Sequence, residues 1–168
     1  VTDESTLQVT LQLSEPGTLW CQPVELDSVG SPVNCRESDL QASNPGAACY
    51  YESFIKGWAP YSTVFSAEVH EAYRNVDIEV DRLYGTLPGS SPKLTAETGY
   101  KIFCFAEDDW KLQADAAASS VNYPLSPPSV LNKVDLAHAT GIKDSFGLQT
   151  TLDLTPPSVT ISGASTTE

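Results

Sequence analysis

The chain has 168 residues, 40% of them hydrophobic, enough for one domain with a sizeable core and too many for wholesale disorder. Its 22 acidic against 9 basic residues give a formal charge of −13, a surface that repels polyanions and excludes nucleic acid as a partner. No stretch approaches the ~18 apolar residues of a spanning helix, so direct membrane insertion is not expected.

In chain order, Leu7, Val9, Leu11 and Leu13 alternate with Gln8, Thr10 and Gln12, the pattern of a strand with one buried and one wet face. Ser14-Glu15-Pro16-Gly17 breaks it as a turn, because proline presets φ and glycine tolerates positive φ. Thr18 to Val24 resumes as a strand, with Leu19 and Cys21 on one side and Trp20 and Gln22 on the other. Residues 27–60 read as irregular, punctuated by Gly30, Pro32, Asn44-Pro45-Gly46 and Pro60. Tyr61 to Val69 is a further candidate strand. Tyr73 to Val80 is a clearer one, with Val76, Ile78 and Val80 set against Asn75, Asp77 and Glu79. Leu87 to Pro92 is a loop. In Leu94 to Glu107, Tyr100, Ile102, Cys104 and Ala106 share one face, and Lys101, Phe103 and Phe105 the other. Two phenylalanines are too apolar for open water, so something is expected to cover part of that face.

Beyond that strand, Ala114 to Ala118 fits a short helical turn, and Pro124, Pro127 and Pro128 forbid a long element. Val130 to His138 fits either a strand or a short helix. Leu148, Thr150, Leu152 and Leu154 alternate again, followed by Thr155-Pro156-Pro157 and a short alternating stretch, Ser158 to Gly163. Strands joined by turns, without long helices, predict an all-β, two-sheet sandwich over residues 1–154. Insertions are expected near 27–60 and 111–147, and residues 155–168 read as a Pro-Pro linker and the first strand of a following module.

Cys21, Cys35, Cys49 and Cys104 are even in number and widely spaced, with no C-x-x-C. That favours two disulfides over a zinc site, and with them an oxidising compartment. A bridge between Cys35 and Cys49 would close a loop of roughly 15 residues, worth about 3 kcal/mol. The chain opens Val1-Thr2-Asp3-Glu4 and contains no methionine, as a fragment or processed chain would; if the protein is secreted, its signal peptide is expected upstream. None of Asn34, Asn44, Asn75, Asn122 and Asn132 lies in an N-x-S/T sequon, so N-glycosylation is not expected.

Leu94, Tyr100 and Ala106 are spaced as in a fibronectin type III module, which this segment resembles. The family carries a leucine, a tyrosine six places on, and an alternating strand ending near an alanine. The resemblance implies an immunoglobulin-like sandwich in which the Tyr100 hydroxyl bonds back to the backbone at the corner. Leu7 to Val24 is similar to the family's second and third strands, Val76 to Leu83 to its fifth, and Leu148 to Leu154 to its last. It places Cys21 and Cys104 on the third and sixth strands, neighbours in one sheet. A bridge there would close a loop of roughly 84 residues, worth about 4 to 5 kcal/mol. The rival pairing joins Cys21 to Cys35 and Cys49 to Cys104. Ordinary modules of this family are shorter and lack disulfides. Gly17-Thr18-Leu19-Trp20-Cys21 and Tyr100 to Glu107 resemble cysteine-containing repeats of large protist and algal surface proteins, including those of flagellar hairs (mastigonemes).

That resemblance implies a non-catalytic structural or adhesive module, extracellular or at the cell surface, whose partners are neighbouring modules or copies of the same protein. Trp58, Trp110, Phe103 and Phe105 are the candidate interface anchors, because aromatic anchors carry interfaces. The alternative is a carbohydrate-binding module using exposed aromatics, with glycans as partners. No catalytic residue is expected: Gly-x-Ser-x-Gly, His-Glu-x-x-His and phosphate-binding glycine loops are missing. His70 and His138 read as surface or half-buried side chains. No cofactor is expected. Calcium takes roughly six to eight oxygens, often from strand ends. If it binds here, Glu107, Asp108, Asp109 and Asp153 are its candidate ligands.

Overall fold

The computed structural model describes residues 5–25, 35, 37–47, 49–57, 64–84, 92–108 and 133–152. Leu7–Leu11 is β1, Gly17–Glu25 β2, Ser66–Val69 β3, Val76–Val80 β4, Gly99–Asp108 β5 and Gln149–Thr150 β6. Among the described residues two helices join them: α1, Tyr51–Lys56, and α2, Leu136–Phe146; Glu37–Asp39 forms a single 3₁₀ turn. The strands make two antiparallel sheets, β1-β4 and β3-β2-β5-β6. The chain is thus mostly β, as expected, but with helical layers: α1 falls in a stretch read as irregular, and α2 begins within Val130 to His138, where strand and short helix were both open.

The small sheet follows directly from period-2 alternation. Leu7 lies opposite Val80, Val9 opposite Ile78 and Leu11 opposite Val76, so every buried residue meets a buried or half-buried partner. The wet face carries cross-strand polar pairs: Thr10 Oγ1 donates to Asp77 Oδ1 at 2.6 Å, and Gln12 Nε2 donates to Asn75 Oδ1 at 2.7 Å. A register slip of one residue would invert both faces, which is why the alternation specifies the pairing.

The larger sheet is buried on both faces. Leu19, Cys21, Tyr100, Ile102 and Cys104 point toward β1 and β4 and, with Leu7, Ile78 and Val80, form the inter-sheet core. Val24, Phe103 and Phe105 point the other way, into a second core with Tyr51, Phe54, Ile55 and Ala139. Phe103 and Phe105 are 1% and 0% exposed. As interface anchors they are therefore corrected: α1 and α2 of the same chain already cover them, leaving no surface for a neighbour.

Two local details make β2 a central strand. Gly17 packs so closely on β5 that a Cβ there would sit 2.6 Å from the Glu107 carbonyl oxygen. Pro23 lies past the end of β3, whose register stops at Trp20 opposite Ser66. The N–H of Cys21, two residues earlier, points toward β3, donating to Phe65 O at 2.9 Å. The missing donor of Pro23 therefore faces the side where no described strand needs it.

α2 lies along β5, running from a bridge at Glu107–Lys133 to β6 at Gly99–Thr150. Its 11 residues span about 16 Å, the length of about five strand residues. A helix thus occupies the place of a strand's middle and covers the β5 edge. Asp135 caps it, Oδ1 accepting from His138 N at 2.7 Å, and Gly147 ends it at φ 64°. The 149–150 strand is shorter than the alternation from Leu148 to Leu154 predicts. Leu148 and Leu152 are exposed, while the buried residue is Thr151. Its hydroxyl donates to Thr95 O at 2.6 Å and accepts from Thr98 N at 3.2 Å. Those bonds, not apolar burial, set the position of the last strand.

Candidate functional site

The cysteines form two bridges, Cys21–Cys104 and Cys35–Cys49, and no described cysteine is free. Cys21 lies directly opposite Cys104. Because the Cys21 N–H is spent on Phe65 O, the pair facing β5 is of the non-hydrogen-bonded kind, in which side chains approach most closely. Its Cα atoms are 4.1 Å apart. Two disulfides fit an oxidising, extracellular or secreted environment. Among the described residues no helix is long and apolar enough to cross a membrane.

At the corner, the Tyr100 hydroxyl accepts a hydrogen bond from Thr95 N at 2.8 Å, and Leu94 beside it is buried. Leu94 N donates to Asp81 O at 3.0 Å, fastening the segment before β5 to the one after β4.

The densest polar chemistry lies over the outer aromatic face. α1 presents Glu52 and Lys56 one turn apart, both inward. Lys56 is 2% exposed. Its Nζ lies 4.7 Å from the ring centres of both Trp20 and Phe105, a cation–π setting. It donates to Glu52 Oε1 at 3.1 Å and touches Glu107 Oε2 on β5 directly. Glu52 Oε2 in turn accepts from Lys133 Nζ at 2.8 Å and from the Tyr50 hydroxyl at 3.2 Å. Two lysines and two glutamates make a neutral quartet, the condition under which ions tolerate burial. It joins α1, the end of β5 and the segment leading into α2. Tyr51 adds a further tie, its hydroxyl donating to Val134 O at 3.0 Å.

The electrostatics follow from this geometry. Burial pushes the Glu52 carboxyl up, but hydrogen bonds from Lys133 and Lys56 and the charges of both offset it, holding the group below the usual carboxylate range. The same bond to Glu52 raises Lys133 above the usual lysine value. Burial, with smaller contributions from Tyr50 and Glu52, pushes the Tyr51 phenol up to about 12. Beside the quartet a cleft of about 210 Å³ opens between Leu13, Glu15, Asp108, Lys133 and His138, with Glu107 in its wall. There burial and the neighbouring Asp108 raise the Glu15 carboxyl.

Of the expected calcium ligands, Glu107 is engaged by Lys56 and Asp108 faces Glu15. Asp109 and Asp153 lie outside the described residues. Among the described residues no group of three or more acidic, histidine or cysteine side chains is placed to hold a metal ion. Trp58 and Trp110 also lie outside the described residues. His70 and His138 are exposed, beside Glu68 and Asp135. The quartet was missed in the sequence, although Glu52 and Lys56 carry the i, i+4 spacing of a helical ion pair; the surrounding prolines and glycines hid the helix.

Compared with known proteins, the chain matches no family model, no curated protein and no solved structure. Fold and site together define a disulfide-bridged, mostly β protein with a neutral ionic quartet pinning its helical insertions to one sheet.

Proposed function

We propose that the chain is a non-catalytic structural or adhesive module of a repetitive extracellular surface or fibre protein, fibronectin type III-like in its sandwich. The observation that carries the reading is where the strong bonds fall. Cys21–Cys104 ties the two central strands, Cys35–Cys49 closes the first insertion, and the quartet binds both insertions to the sheet. Bonds so distributed resist separation of elements under load.

The sandwich reading draws support from strand order. β1, β2, β4, β5 and β6 follow one another as the family's second, third, fifth, sixth and seventh strands do, with β3 extending the second sheet. The bond from Thr95 N to the Tyr100 hydroxyl is the corner contact of that architecture. The two strings similar to mastigoneme-type repeats, Gly17 to Cys21 and Tyr100 to Glu107, run side by side as β2 and β5. In this reading residues 155–168 are the linker into the next module, and Trp58 and Trp110 are contacts with a neighbour.

Electron microscopy of the native assembly tests it. Copies of the sandwich at regular spacing along a filament or surface layer are the expected result. A dispersed monomer that binds glycans, and loses them when Trp58 and Trp110 are changed to alanine, would replace the structural reading with a carbohydrate-binding one.

A further inference from the structure

We propose that Lys56 and Glu107 condense into an intramolecular amide bond, with Glu52 as the proton carrier. Three features of the quartet support this. The Lys56 Nζ is in direct contact with Glu107 Oε2, so the amine lies against the carboxyl it would join; such positioning substitutes for very high effective concentrations. The amine is 2% exposed and lies against the rings of both Trp20 and Phe105, at 4.7 Å from each centre. A second carboxylate, Glu52 Oε1, stands 3.1 Å from the same nitrogen, held in place by Lys133 and the Tyr50 hydroxyl.

In water an ammonium and a carboxylate do not form an amide, because the ions are strongly solvated and the nitrogen lone pair is protonated. Beside the rings of Trp20 and Phe105, the reacting form is reached when one proton moves from Lys56 to Glu107, leaving a neutral amine and a neutral acid. The lone pair of Nζ then attacks Cδ of Glu107. Glu52 takes the second nitrogen proton and delivers it to the departing hydroxyl. One C–N bond forms, one C–O bond breaks, and one water leaves. Glu52 ends as it began, and no oxidant, reductant or cofactor takes part. Glu107 lines the neighbouring cleft, which offers the water a way out, while the rings of Trp20 and Phe105 shield the amide from hydrolysis. The product fastens α1 covalently to the end of β5.

The test is the intact mass of the whole purified chain after its disulfides are reduced. The expected mass is one water below that of the sequence. A proteolytic digest should contain a branched peptide joining Lys56 to Glu107, with no cleavage by trypsin after Lys56. Lys56→Ala and Glu107→Ala should each restore the full mass. Glu52→Gln, which keeps both reactants, should form the bond at least tenfold more slowly when followed by mass after refolding. A wild-type chain at full sequence mass, with Lys56 open to an amine-reactive label once denatured, overturns the proposal without recourse to any variant. A Glu52→Gln chain that cross-links at the wild-type rate removes Glu52 from the mechanism.

Discussion

At Tyr100 a single oxygen atom holds the turn before β5 to the strand, while the ring fills the inter-sheet core. Removing only that oxygen separates the two roles. Tyr100→Phe should keep the packing, lose the bond from Thr95 N, and lower stability by about 1 kcal/mol, read as a shift in the urea midpoint at unchanged slope. An unshifted midpoint would make the corner bond energetically idle. Glu52 carries a different kind of prediction. A carboxyl depressed in the folded state contributes stability above its ordinary value, 4.5, and loses it as pH falls through the lower folded value. Stability should therefore decline as the solution is acidified below that point, and Glu52→Gln should flatten that part of the profile. Glu15, raised in the folded state by burial and Asp108, has the opposite sign. Its contribution is favourable at low pH and is lost as pH rises through the folded value.

Among elements, the β2–β5 pair is the frame on which both cores are built, one on each face. Its tolerance is smallest at Gly17, where a Cβ meets backbone, not a movable side chain. Gly17→Ala should push β2 from β5 and destabilise by about 1–3 kcal/mol, while Gly46→Ala, where the nearest atom is a side-chain oxygen at 3.5 Å, serves as the tolerant control. Equal losses at the two glycines would rule out close approach as the cause. α1 and α2 act as a layer: Phe54 and Ile55 from one and Ala139 from the other seal Phe103 and Phe105 from water. α1 is only six residues long, too short to persist alone; the sheet and the Gly57 cap, at φ 69°, stabilise it.

For the whole molecule, the two bridges divide the work unequally. Cys21 and Cys104 are 83 positions apart and Cys35 and Cys49 only 14, so the first removes more entropy from the unfolded chain. Replacing Cys21 and Cys104 together by alanine should cost about 4 to 5 kcal/mol, against about 3 kcal/mol for the Cys35–Cys49 pair. Denaturant titrations of the two double variants check the ranking, and a larger loss from the short loop would reverse it. The charge of −13 falls mostly on the surface, so added salt should act on self-repulsion there and leave the buried Lys56–Glu52 pair nearly unscreened.

Local alternation by itself determined much of the β framework. Leu7 to Leu11, Val76 to Val80 and Tyr100 to Ala106 were readable because a strand's faces repeat every two residues, and each face meets one environment. The bond from Thr95 N to the Tyr100 hydroxyl leaves no mark in periodicity. Tertiary structure alone decided which cysteines met, since two pairings satisfied the same four positions. It also decided what covered Phe103 and Phe105. Glu52, Lys56, Glu107 and Lys133 come from three separated stretches, and no local pattern links residues that meet only after the sheet has formed. α2 shows the same limit: Leu136, Ala139, Ile142 and Phe146 recur at helical intervals, but Gly141 and the prolines upstream weaken the local signal. The helix forms there because β5 presents an apolar face and an edge for it to cover, and that surface exists only in the folded chain.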